Sequence, residues 1–167
     1  MILEDLEDLF DDLDIERPTV EQLYRLYGIF LNDFVRTKLM IKGKELTVNE
    51  SKSSHPMFKG KAETFVHIIT RKNRYTGKRI FDRERANRIH WIRPVLENAS
   101  DNSIFCFERI NDQGENQHFY WFKERDFIVI LREIKPSLLL ITSFCVDTIE
   151  RNMYTSWYRK YKDGLKK

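Results

Sequence analysis

Apolar positions recur at three- and four-residue steps near both ends of the chain and at two-residue steps in much of the stretch between. Leu3, Leu6, Phe10 and Leu13 predict an amphipathic helix whose other face is acidic. Arg17-Pro18-Thr19 interrupts it, with Thr19 as N-cap of the next helix and Gln22 completing a capping box. Leu23, Tyr27, Phe30, Leu31 and Phe34 line one side of that second helix, which runs to about Met40 and ends at Lys42-Gly43-Lys44. Residues 44–60 show no readable period. Thr64–Arg71, rich in β-branched residues, reads as a buried strand with His67 on the same face as Phe65 and Ile69. Asn73–Lys78 is a basic loop, and Asp82 caps a helix carrying Arg85, Ile89, Ile92 and Leu96. Pro94 inside that helix predicts a kink that frees the carbonyl of His90.

Past Asn98 the pattern becomes short strands with turns: Ser103–Ile110, His118–Lys123, Phe127–Ile134 and Leu138–Phe144. Asn111–Asn116 has hairpin-loop composition, and Lys135-Pro136 makes a tight turn. A last helix, Glu150–Lys162, places Met153, Tyr154, Trp157, Tyr158 and Tyr161 on one face and stops at Gly164. The expected fold class is α+β: N-terminal helices, then a four-stranded antiparallel β-meander, then a closing C-terminal helix. The expected division is a helical region, 1–57, with an acidic leader at 1–17, followed by a domain at 58–167.

At 167 residues the chain suits one domain with a self-sufficient core. The longest apolar run, Ser137–Val146, is half the roughly 20 residues a membrane helix needs. Acids stand at the N-terminus where a signal peptide carries bases, and Cys106 and Cys145 are the only cysteines, so a reducing cytoplasm is expected. Charge is uneven. Residues 1–17 hold eight acids and one base, leaving a net of +10 on the rest. A basic body suggests a polyanionic partner, although a solvated acidic helix beside a mildly basic domain has the same arithmetic.

Phosphate-cradling glycine loops, a GxSxG elbow and HExxH are all missing. Cys106, His118 and Cys145 lack close zinc-ligand spacing, so no metal or cofactor is expected. His67 offers a titratable imidazole on a rigid element, against the commoner reading of a satisfied core histidine. Arg85 shares the apolar stripe of its helix and must find either a substrate anion or a structural acid such as Glu108 or Glu133. Thr142 alternates with Leu140 and Phe144 on the last strand. Tyr158, Lys160 and Tyr161 interleave aromatics with bases, which suits stacking on bases equally with covering a core.

Three stretches together, His67-Ile68-Ile69-Thr70, Arg83 through Pro94 (RERANRIHWIRP), and a strand series ending Leu140-Ile141-Thr142-Ser143-Phe144, resemble a phage-associated branch of the barnase, EndoU, colicin tRNase and RelE-like ribonucleases. The resemblance covers about residues 58–163. It implies metal-independent cleavage of RNA, with tRNA among the candidate substrates: 2′-hydroxyl attack gives a 2′,3′-cyclic phosphate, in a toxin or phage-encoded effector that an inhibitor or antitoxin protein would control. By position it implies His67 as acid or base, Arg85 as phosphate clamp, Thr142 as positioning group and Lys160 or Tyr158 as a further donor. Lys72, Arg74 and Arg88 would contact the RNA backbone. The alternative is a non-catalytic RNA-binding or protein-interaction module on the same scaffold.

Overall fold

The computed structural model describes residues 3–166. The leader is not the expected helix: it makes one 3-10 turn, Leu3–Asp5, and then runs irregularly. Its backbone instead bonds the body, with Leu9 N donating to Asn87 O and Phe10 N to Asn87 Oδ1. The Trp91 indole and Arg125 donate to the carbonyls of Glu7 and Leu6. Leu3, Leu6 and Leu13 are nevertheless buried, so their spacing marks core positions on an irregular strap.

Helix α1, Val20–Phe30, starts at the expected Thr19–Gln22 capping box and continues as a π-type turn, Leu31–Arg36, short of the expected Met40. Strands β1, Met40–Ile41, and β2, Lys44–Thr47, form a hairpin, so Lys42-Gly43 is its turn, with φ of 51° and 80°.

Thr64–Arg71 is mostly helix, not strand: α2 spans Glu63–Ile69 and only Thr70–Lys72 is extended, as β3. Thr64, Phe65, Val66, Ile68 and Ile69 are all buried, and the partly open positions, Glu63 and His67, are four apart. An apolar run buried on nearly every side satisfies either period, and its β-branched content misleads about which. Strand β4, Arg79–Phe81, pairs antiparallel with β3. Asp82 caps α3, Arg83–Asn87, as expected. That helix breaks at Arg88, six residues before Pro94; a 3-10 turn, Ile89–Trp91, leads into α4, Ile92–Glu97. Pro94 therefore lies in the first turn of a new helix, where its missing N–H costs nothing, and kinks no helix.

Strands β5, Ile104–Ile110, β6, Asn116–Phe122, β7, Phe127–Ile134, and β8, Ser137–Cys145, precede α5, Thr148–Lys162, which Asp147 and Glu150 cap reciprocally. The fold is α+β, but its sheet is mixed and six-stranded, in the order β1-β2-β8-β7-β6-β5. Strand β2 lies parallel to β8, a pairing hidden in the unreadable stretch 44–60. Beyond Thr47 the edge of β8 is covered by α2 and α3.

One sheet face packs on the helices and leader, joining Leu6, Leu26, Phe30 and Phe65 to Phe127, Val129 and Leu140 in a single core. Residues on both sides of position 57 share that core. Phe107, Phe119, Trp121, Ile128 and Ile130 on the other face meet Tyr154 of α5. Among the described residues no helix is long and apolar enough to cross a membrane.

Candidate active site

Strand register builds the densest group of polar side chains. The loop closing at Ile110 and Asn116 makes Glu108 the partner of His118 across β5 and β6, and His118 the partner of Leu131 on β7. Side chains two apart share a face, so Glu108, Asn116, His118 and Glu133 project together. They line a cavity of about 780 Å³ walled also by Lys42, Lys44, Lys135 and Lys166.

Within it His118 Nε2 lies 3.3 Å from Glu133 Oε2 and 3.8 Å from Glu108 Oε1. The Asn116 amide donates to Glu108 Oε1 at 2.9 Å and to Glu133 Oε2 at 2.8 Å. Lys44 Nζ reaches Glu133 Oε1 at 2.9 Å, and Lys166 Nζ reaches Glu108 Oε1 at 3.0 Å. The Tyr161 hydroxyl donates to Glu108 Oε2 at 3.0 Å. Burial pushes the Glu108 carboxyl up, but the bonds from Asn116 and Lys166, the nearby His118 and the Tyr161 bond together hold it at about 2. Hydrogen bonds from Lys44, Asn116 and His118 likewise hold Glu133 at about 2. Both carboxylates are ionised at neutral pH. Ligand atoms of Glu108, His118 and Glu133 fall within 4.8 Å of one another, so this trio is also where a divalent cation would fit. Two ammonium groups and an amide already supply positive character to those oxygens, and an incoming cation would have to displace them.

His67 and Arg85 do approach each other, at a different place. Arg79, which sequence reasoning missed, donates to Thr70 Oγ1 at 2.8 Å, His67 O at 3.0 Å and Thr70 O at 2.7 Å. Arg85 Nη1 also reaches Thr70 O, at 3.0 Å, so two guanidiniums close the C-terminal end of α2. Burial, then Arg79 and Arg85, lower the His67 imidazole to about 4, leaving it neutral at physiological pH and unable to act as an acid there. Arg85 pairs with Asp82 at 3.6 Å, and with neither Glu108 nor Glu133, which belong to the cavity.

The remaining predicted residues do not join His67. Thr142 pairs with Ile130 on the α5 side of the sheet, and its buried hydroxyl has no partner among the described residues. Tyr158 packs on Phe105, 4.8 Å between ring centroids, and Lys160 is exposed near the far end of α5. Along that helix they lie about 6 and 9 Å past Tyr154, which with Glu150 is close enough to feel the charge of Arg85. Arg88 is occupied by Asp8 at 3.3 Å, by Glu84 at 2.8 Å and by Cys145. Lys72 and Arg74 are exposed on the β3–β4 hairpin.

The two groups sit toward opposite ends of β8. Leu138 lines the cavity, whereas Arg85 lies 5.1 Å over the Phe144 ring, six residues or about 20 Å away. No family model, curated protein or solved structure matches the chain.

Proposed function

We propose that the protein is a metal-independent endoribonuclease whose chemistry takes place in the Glu108–His118–Glu133 cavity rather than at His67. The observation that carries this reading is the convergence of an imidazole, two ionised carboxylates and four lysines on one cavity of about 780 Å³. Cleavage by 2′-hydroxyl attack needs a base for that hydroxyl, an acid for the leaving 5′-oxygen and positive charge around the phosphorane. A carboxylate of Glu108 or Glu133 serves as base, His118 as acid, and Lys44 and Lys166 as the cations.

The low basicity of the carboxylates rests in part on bonds from these two lysines. A phosphate that draws Lys44 and Lys166 away removes bonds that hold Glu133 and Glu108 near 2, and each becomes a better base as substrate arrives. Proton transfer of this kind contributes about 10²–10⁴-fold. The test is incubation of purified protein with single-stranded RNA and with tRNA in excess chelator, with end-group analysis of the products. Expected are 2′,3′-cyclic phosphate and 5′-hydroxyl ends. Intact RNA, or cleavage only with added divalent cation, would overturn the reading.

One observation favours a second reading, the non-catalytic module. Every carboxylate oxygen of the cluster already has a donor, as in an ionic network that fastens β2 and the C-terminal tail to the sheet. Under that reading Glu133→Gln lowers stability, and the wild-type protein leaves RNA intact.

A further inference from the structure

The β3–β4 hairpin is the most cationic surface segment. Residues 71–85 carry seven bases (Arg71, Lys72, Arg74, Lys78, Arg79, Arg83, Arg85) against two acids, Asp82 and Glu84. Both acids are engaged: Asp82 pairs with Arg71 and Arg85, and Glu84 with Arg88. Among the described residues Lys72, Arg74, Lys78, Arg79 and Arg83 therefore form no pair with a carboxylate. Cations left unpaired around one short hairpin repel each other, a cost that an anionic partner would relieve.

The tip is built to hold its shape. Asn73 Oδ1 accepts from Tyr75 N at 2.9 Å and Thr76 N at 3.1 Å, and Thr76 Oγ1 accepts from Lys78 N at 3.2 Å. Asn73 N donates to Lys78 O and Gly77 N to Asn73 O, both at 2.8 Å, with Gly77 at φ +70° supplying the reversal. At the apex Tyr75 is 84% exposed, with the Arg74 guanidinium 5.2 Å from its ring centroid. An aromatic ring held out in water by a rigid turn, flanked by unpaired bases, presents a stacking surface and phosphate partners in one unit. Stacking on a projecting ring requires an unpaired base, which a duplex does not offer.

We infer that the 70–81 hairpin is a docking arm for single-stranded RNA, with Tyr75 and Arg74 stacking on an exposed base while Lys72 and Lys78 hold the flanking phosphates. This rests on the RNA reading of the cavity and deepens it: the substrate is a strand unpaired at the arm. The arm binds; it performs no chemistry.

The experiment is fluorescence anisotropy with a labelled 2′-O-methyl RNA dodecamer, which lacks the attacking hydroxyl and so reports binding without cleavage. Tyr75→Ala weakens binding about 5- to 100-fold, the range of one lost base stack. Lys72→Ala flattens the salt dependence by about 0.7 in the log–log slope, as one lost phosphate contact should. Tyr24→Ala is the control, because that tyrosine is 83% exposed on α1, away from the arm; it leaves affinity unchanged. A fully paired duplex of the same length binds more weakly than the single strand. The inference is overturned by unchanged affinity in Tyr75→Ala, by an equal loss in Tyr24→Ala, or by anionic phospholipid vesicles competing as well as RNA. Because the probe cannot be cut, failure here leaves the cleavage assay of the cavity standing, and failure of cleavage leaves this binding test standing.

Discussion

At the residue scale, the cavity rests on cross-strand arithmetic. His118 lacks zinc-ligand spacing to Cys106 or Cys145, and on spacing alone it reads as an ordinary strand residue. Once the loop between Ile110 and Asn116 is recognised, antiparallel pairing places Glu108 opposite His118, and period two adds Asn116 and Glu133. The signal was legible in the pairing register and invisible along the chain. Arg85 shows the converse: its place beside the apolar stripe was legible, but its partners, Asp82 and the Thr70 carbonyl, follow from an α2 that reads as a strand. Glu133 gives a pH test. Its carboxyl falls from an ordinary 4.5 to about 2 on folding, so it contributes stability above pH 4.5 that is lost as pH falls toward 2. Denaturation of wild type and Glu133→Gln across pH should show the largest gap above pH 4.5, closing as pH approaches 2. A gap independent of pH would show that the native carboxylate is not preferentially stabilised.

At the element scale, helix caps were the most readable signals. Thr19 with Gln22 starts α1 and Asp82 starts α3 as the residue types predict, because a cap depends on bonds within one turn. Thr19→Ala should cost about 1 kcal/mol in urea denaturation; no loss would mean that tertiary contacts alone hold that helix start. Two of the elements that differ from expectation, the leader and α2, have a backbone or surroundings set by distant residues. The leader's amides and carbonyls bond Asn87, Trp91 and Arg125, and α2 is enclosed by β8, α3 and α1 side chains such as Tyr27 and Phe30. No local pattern reports that enclosure.

At the scale of the whole molecule, the acidic leader is structural. Leu3, Leu6 and Leu13 are buried in the main core, and Asp8 pairs with Arg88. Each buried leucine contributes about 2 kcal/mol against a total stability of about 5–15 kcal/mol for a typical domain. Deleting residues 3–17 should therefore abolish cooperative thermal unfolding; a truncated protein that melts like the full chain would show the leader to be dispensable. Residues 70–81 carry five bases and no acid, whereas the four lysines of the cavity face Glu108, Glu115 and Glu133; Arg85, beside the hairpin, and the cavity lie toward opposite ends of β8, about 20 Å apart. On the proposed function, RNA held at the arm would be cut at the cavity.

On the proposed function, the chemistry belongs to the cavity and not to His67. The most direct measurement is the single-turnover cleavage rate of single-stranded RNA in excess chelator, for wild type, His118→Ala and His67→Ala, each first confirmed as folded by its thermal transition. Expected is a loss of about 10²–10⁴-fold in His118→Ala, with the rate nearly unchanged in His67→Ala. The reverse order, or equal rates in all three proteins, would contradict it.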